Sequence, residues 1–120
     1  MVVQFPQQFL AEEQIGDVTV VKFNLVEIVD ERAIRRISRQ LLNLVEHSQS
    51  HRLVLNLGSV GKLSATMAGA FIGLHRMLRS QGGKLVLCGV NDGLRDIFTI
   101  FKLPQVLRIC RDEQEALQAF

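Results

Sequence analysis

Apolar and polar positions follow two periods along this chain, one typical of strands and one typical of helices. Residues 17–23 alternate with period two. Together with a strand expected over 9–14, they predict a β-hairpin that turns at Gly16-Asp17. Compact apolar runs, typical of buried strands in a parallel sheet, follow over 52–57, 84–90 and 106–110.

Between these runs and after the last of them, apolar residues recur at helical spacing and predict four helices. The first follows the N-cap residue Asp30 and is expected to end at 48–50, and Gln81-Gly82-Gly83 ends the second. Asn91 or Asp92 caps the third, and Asp112 caps the last. The predicted order is ββαβαβαβα over one domain, 1–120. It describes an α/β fold with a mostly parallel sheet and the hairpin as an antiparallel edge.

The composition describes a soluble globular protein and excludes several classes of function. Hydrophobic residues make up 48% and charged residues 22%, and no apolar run has the roughly 20 residues that a membrane span needs. The amino end lacks the pattern of a secretory signal, so we expect a cytoplasmic protein without direct membrane insertion. A net charge of +2 does not favour a nucleic-acid binder. The local basic cluster is interpreted as a solvated helix face: Arg32, Arg35, Arg36 and Arg39.

No constellation of catalytic or metal-ligating residues is recognisable. The three histidines, His47, His51 and His75, lack metal-ligand spacing and are expected at the solvated surface. Cys88 and Cys110 form no CxxC motif and are expected in the core. The early carboxylates are interpreted as hairpin, loop and capping residues. We therefore expect no enzyme activity, no metal and no cofactor.

A possible phosphate cradle precedes the second helix, but its spacing is wrong. The segment 58–64 contains the pair Gly61-Lys62, with two residues between its glycines and Leu63 after the lysine. A Walker loop needs four residues between the glycines and Ser or Thr directly after the lysine. Nucleotide hydrolysis is therefore not predicted.

The turn from Lys62 to Thr66 is the most informative segment, because it leads from the carboxyl end of a strand to the amino end of a helix. One interpretation is structural: Ser64 caps the helix and Thr66 lies in its first turn. In the alternative, Ser64 or Thr66 accepts a phosphate, which adds charge that the helix end partly stabilises and that repels an acidic partner. A third interpretation is a small anionic or nucleotide ligand at the same helix end.

The element order and several segments resemble the STAS domain family, the anti-sigma factor antagonists and their relatives. The similarity covers nearly the whole chain. It includes the apolar strand that ends in Asn56, the helix segment 69–74, the turn and strand over 82–90, and the last strand and helix. In this family a kinase that is also an anti-sigma factor phosphorylates a Ser or Thr that follows an Asp, in the loop before the second helix.

Alignment to that motif places Ser64 at the position of the Asp, Ala65 at the phosphoacceptor and Thr66 at the following Ser. A one-residue shift matches Thr66-Met67 to the Thr-Met of some stress-signalling members, with Ala65 replacing the Asp. The early loop 26–30 also lacks the Gly-Glu-Leu-Asp pattern of phosphorylated antagonists.

The resemblance implies a regulatory module that binds an anti-sigma factor, a related serine kinase or another regulatory protein. The candidate phosphoacceptors are Thr66 and Ser64. The candidate partner-binding residues are Gly61, Lys62, Leu63, Ser64, Ala65, Thr66 and Met67. The alternative function is a non-phosphorylated STAS adaptor in a transporter or signalling scaffold, which the alanine at position 65 favours. Homo-oligomer formation stays open.

Overall fold

The apolar runs of the sequence form the strands of a five-stranded sheet. The structure is a computed structural model and describes residues 9–47 and 51–120; the amino end over 1–6 and the expected helix end at 48–50 lie outside the described residues. The strands are β1 (Leu10–Ile15), β2 (Val18–Phe23), β3 (Glu27–Ile28), β4 (Arg52–Asn56), β5 (Lys62–Leu63), β6 (Lys84–Cys88) and β7 (Arg108–Cys110). The helices are α1 (Glu31–His47), α2 (Ala65–Ser80), α3 (Arg95–Ile100), α4 (Leu103–Val106) and α5 (Glu113–Leu117), with a 3₁₀ turn over Asp92–Leu94.

The sheet has the predicted mixed arrangement. Its strand order is β1-β2-β4-β6-β7, in which β1 and β2 are antiparallel and every other pair is parallel. In the register of the central strands, Val54 lies between Val20 and Val86. The prediction of an α/β fold with a mostly parallel sheet and an antiparallel edge hairpin is confirmed.

The two faces of the sheet pack against different helices, because successive side chains of a strand point to opposite sides. On β4, Leu53 and Leu55 belong to the larger core, to which α1 and α2 contribute their apolar faces. Val54 belongs to a smaller core on the other face, which includes Ala116 of α5. Both faces of the central strand are thereby buried, as expected for parallel strands covered by helices.

Helix boundaries follow the predicted caps. The Asp30 carboxylate accepts a hydrogen bond from the Ala33 N–H at 3.2 Å, and the Asp112 carboxylate accepts one from the Glu115 N–H at 2.9 Å. The third predicted cap is corrected: Asn91 accepts from the Gly93 N–H and caps the 3₁₀ turn, whereas α3 itself follows Leu94 and has no side-chain cap. These side chains satisfy amide groups that a helix start leaves without partners. No helix within the described residues has both the length and the apolar content needed to cross a bilayer.

Two predicted segments are corrected by the structure. Val106, expected in the last strand, belongs to α4, and that strand begins at Arg108. Pro104 lies in the first turn of α4, where its fixed φ suits a helix start, and Lys102 turns the chain there with φ 53°. The expected turn from Lys62 to Thr66 is instead the short strand β5 followed by the first turn of α2.

The predicted exposure of His75 is wrong. Its side chain lies on the buried side of α2, the residue is 9% exposed, and Nδ1 is buried without a hydrogen-bond partner in the described structure. Burial, and secondarily the positive charges of Arg79 and Lys84, lower the pKa of His75 below its ordinary value of 6.5. His47 is exposed as predicted, and His51 is half-buried.

We expect the protein to lose stability as the pH falls through the unfolded-state pKa of His75. The unfolded chain then binds a proton that the folded chain resists, and the loss ends once the folded His75 is also protonated. The free energy of unfolding, measured by urea denaturation from about pH 8 to 5, is expected to fall less steeply in a His75→Leu variant. The matched control His47→Gln is expected to keep the wild-type slope. Equal slopes in wild type and His75→Leu would contradict this assignment.

Candidate functional site

A second, two-stranded parallel sheet fixes the segment that leads into α2. β3 pairs with β5, so that Glu27 lies opposite Lys62 and Ile28 opposite Leu63. The backbone continues this pairing at both ends: the Gly61 N–H donates to the Val26 carbonyl at 2.7 Å, and the Ser64 N–H donates to the Ile28 carbonyl at 2.9 Å. The early loop and the predicted binding segment therefore form one edge of the molecule.

Ser64 ends this edge by capping α2. Its backbone is extended, and its Oγ accepts a hydrogen bond from the Met67 N–H at 3.2 Å. Ala65 and Thr66, the first two residues of the helix, are both exposed. The capping interpretation of Ser64 is confirmed, and the helix start presents the Thr66 side chain to solvent.

The structure separates the predicted binding residues into accessible and buried ones. Lys62, Ala65 and Thr66 are exposed, and Gly61 and Ser64 are half-buried. Leu63 is 6% exposed and Met67 is fully buried, and both pack in the larger core. A partner approaching this edge would meet the exposed and half-buried residues, while Leu63 and Met67 hold them in place.

Two exposed valines belong to the same edge and were not among the predicted site residues. Val26 and Val29 flank β3 and are 67% and 42% exposed. The Val26 carbonyl is the acceptor for the Gly61 N–H, so this valine lies directly beside the loop before β5. The sequence signal was available: Val26, Ile28 and Val29 are apolar residues in a segment that has neither a strand period nor a helix period. We name this surface, consisting of Val26, Val29, Lys62, Ala65 and Thr66, the β3–β5 edge.

The side-chain amides of Asn56 and Asn91 hold the loop between β4 and β5 in place by hydrogen bonds. The Asn56 Oδ1 accepts from the Gly58 N–H at 2.8 Å, and its Nδ2 donates to the Glu113 Oε1 at 2.8 Å. Lys22 Nζ lies 3.4 Å from the same carboxylate oxygen. The Asn91 side chain donates to the Val60 carbonyl, farther along the loop. The end of β4 is thereby tied to α5 and to the turn after β6.

The residues near this loop do not assemble reactive chemistry. Burial, and secondarily the Glu113 carboxylate, raise the pKa of Cys88 to about 12, so that its thiol stays protonated and is a poor nucleophile. Cys88 and Cys110 are both buried, as predicted. Within 9–47 and 51–120, no group of three or more His, Cys, Asp or Glu side chains is placed to hold a metal ion.

The basic face of α1 is solvated, as predicted. All four arginines are exposed. Arg35 pairs with Glu31 at 3.0 Å, and the Arg36 guanidinium lies 5.5 Å from the centre of the Phe9 ring. An exposed ion pair of this kind contributes little to stability.

Comparison with known families identifies the fold. The sequence profile of the STAS domain matches residues 10–116. The chain belongs to the STAS domain family. Its predicted membership is thereby confirmed, and the match covers every strand of the sheet.

Solved structures of several kinds share this STAS fold. An anti-sigma factor antagonist from Mycobacterium paratuberculosis superposes with a TM-score of 0.80 at 19% identity, covering 92% of this chain and 91% of that one. The Bacillus cell fate determinant SpoIIAA in its phosphorylated form gives 0.68 at 18% identity, covering 91% and 96%. A sulfate transporter family protein from Wolinella succinogenes gives 0.70 at 18% identity, covering 87% and 84%. STAS domains of this shape thus occur among both regulators and transporter-family proteins.

A glycine at the end of β6 is expected to be indispensable for the shape of this STAS domain. Gly89 has φ +72°, and a Cβ there would lie 2.8 Å from the Asn56 Oδ1 and 2.9 Å from the Gly58 nitrogen. We expect Gly89→Ala to destabilise the fold by about 2 to 4 kcal/mol, because it combines backbone strain with a clash against the loop. Chemical denaturation measures this change.

Gly69→Ala is the matched control, since a Cβ at this exposed helical position meets nothing within 4 Å. It is expected to stabilise the protein by about 0.5 to 1 kcal/mol through helix propensity. A Gly89→Ala variant as stable as wild type would show that the loop does not need this close approach.

Proposed function

We propose that this STAS domain is a regulatory protein-binding module of the anti-sigma factor antagonist type, and that its partner is an anti-sigma factor or a related serine kinase. The observation that carries the proposal is the β3–β5 edge. It combines two exposed valines with an exposed lysine and an exposed helix start. Because a kinase partner needs ATP, the proposed interaction takes place in the cytoplasm.

The composition of the edge suits a protein partner. Val26 and Val29 offer apolar surface that gains free energy when it is covered, at roughly 25 cal/mol per Å². Lys62 and the polar helix start offer charge and hydrogen-bonding groups around that surface, as at the rim of an interface. Because the backbone of the edge is already hydrogen-bonded, binding costs little conformational entropy.

We further propose that phosphorylation of Thr66 controls this binding. Thr66 is exposed in the first turn of α2, whereas Ser64 is half-buried and its Oγ is occupied in capping the helix. A phosphate would add about −1.5 to −2 charges. The positive end of the α2 dipole tolerates that charge, while the added bulk and charge oppose a partner seated on the valines. Thr66 is therefore the favoured acceptor, and Ser64 keeps its capping role.

The first experiment tests the phosphorylation step. The protein is incubated with ATP and the kinase-like anti-sigma factor encoded by a neighbouring gene, and the modified residue is located by mass spectrometry. We expect phosphate on Thr66 in the wild type and none in Thr66→Ala. Binding without phosphate on Thr66 or Ser64 would disprove the phosphoswitch and leave the adaptor function.

A second test of the proposed function concerns the effect of a negative charge at the β3–β5 edge. Thr66→Asp is expected to weaken binding to that anti-sigma factor about tenfold or more, which corresponds to about 1.4 kcal/mol. Calorimetry measures the change. Thr99→Asp is the matched control, because Thr99 is also an exposed helical threonine but belongs to α3. An unchanged affinity of Thr66→Asp would count against this surface as the contact.

The exposed valine of the early loop provides an independent test of the same surface. Val26→Asp is expected to change the free energy of unfolding by less than about 0.5 kcal/mol, because the side chain is 67% exposed. Its affinity for the anti-sigma factor is expected to fall about tenfold. Val106→Asp is the matched control on α4, where the valine is 39% exposed. If Val26→Asp binds as tightly as wild type, Val26 lies outside the interface.

A non-phosphorylated adaptor in a transporter or signalling scaffold is the second candidate function. Ala65 favours it, because this residue aligns with the family's phosphoacceptor and has no hydroxyl group. The likeness to a sulfate transporter family protein also supports it, at the level of fold. Genomic context separates the two candidates: a neighbouring permease gene favours the adaptor, and a neighbouring kinase-like gene favours the antagonist.

A further inference from the structure

An apolar groove lies between α1 and α2, apart from the β3–β5 edge. Its floor is made by Leu41 and Leu74, which are 3% and 4% exposed, and its volume is about 270 Å³. Its sides are formed by Ser38, Leu42, Ala70, Gly73 and Met77. Leu42 is 39% exposed, so the groove leaves apolar surface in contact with water. Grooves of this kind between helices are common binding places for an amphipathic helix.

Gly73 keeps the groove open at a cost to the helix. It lies in the interior of α2, where glycine is less favourable than alanine. A Cβ at this position would meet no atom within 4 Å, so packing within the chain does not require glycine. Since Gly73 also lines the groove, its missing side chain leaves room for an atom from outside.

Exposed arginines adjoin the groove on both helices. On α1, Arg35 and Arg39 lie seven and three residues before Leu42 and so occupy the adjoining outer surface of the helix. On α2, Arg76 follows Gly73 by three residues and is exposed. The sequence of α2 contains no Asp or Glu. On α1, Arg35 is paired with Glu31, and the exposed Glu46 lies four residues after Leu42, beyond the residues that line the groove. A ligand in the groove therefore meets an apolar floor with Arg39 beside one helix and Arg76 beside the other.

We infer that this groove binds an acidic amphipathic helix of a partner protein. Its apolar residues would occupy the space above Leu41 and Leu74, and its Asp and Glu residues would face Arg39 and Arg76. Charge complementarity selects this occupant, because a basic helix or a second basic face would be repelled by both arginines. The inference does not depend on the function of the β3–β5 edge, and its variants leave that edge unchanged.

A peptide selection tests both the site and the chemistry of its occupant. Displayed helical peptides of roughly 14 residues, with leucines fixed at positions i, i+3 and i+7 and all other positions random, are selected on the wild-type protein. Among the selected peptides we expect Asp and Glu to outnumber Lys and Arg about threefold beside the leucine stripe.

Direct binding of the consensus peptide then tests the groove and its two arginines. By fluorescence anisotropy, we expect about a tenfold loss of affinity in the double variant Arg39→Glu, Arg76→Glu and in Gly73→Leu. Gly69→Leu and Arg95→Glu are the matched controls: Gly69 is one turn away on α2 and does not line the groove, and Arg95 is on α3. Circular dichroism checks that each variant folds, and Gly73→Ala provides a milder second variant.

Three outcomes would overturn the inference. One is a selection without acidic bias, and another is a consensus peptide that binds Gly73→Leu or the double arginine variant as tightly as wild type. The third is a wild-type protein that sediments as a dimer and becomes a monomer in Gly73→Leu, because the occupant would then be a second copy of this chain.

Discussion

Two backbone hydrogen bonds, from Gly61 to Val26 and from Ser64 to Ile28, hold together the part of the molecule on which the proposed function depends. They join a loop from the first quarter of the chain to the entry of α2, which lies more than thirty residues later. Backbone pairing of this kind depends little on side-chain identity. The shape of the edge therefore depends little on which residues it exposes, among them Val26 and Thr66.

A second constraint is the pair of hydrogen bonds that the Asn56 side chain makes at the end of β4. Asn56 uses its acceptor for the Gly58 N–H and its donor for Glu113, so that one amide sets the course of the loop and anchors α5. Gly89 lies so close to the Asn56 amide that the Cβ of any other residue at position 89 would displace that amide. The Asn56 side chain at the end of β4 thus has a structural role.

Most of the fold was predictable because its signals are local. The period-two segment, the apolar runs and the caps Asp30 and Asp112 each act through neighbouring residues. The paired strands β3 and β5 were not predicted, since each has two residues and neither has a period of its own. His75 was misplaced for a related reason: a polar residue in a helical pattern is assigned to the surface, yet it occupies a buried position of α2.

The sequence by itself determined the family, the order of the main elements, the caps, and the segment 61–67 as the candidate site. Only the tertiary structure decided which residues of that segment a partner can reach, because exposure depends on what distant parts of the chain cover. It placed Leu63 and Met67 in the core and brought Val26 and Val29 to the same surface as Thr66. It also brought α1 and α2 together around an apolar groove, a feature that neither helix carries alone.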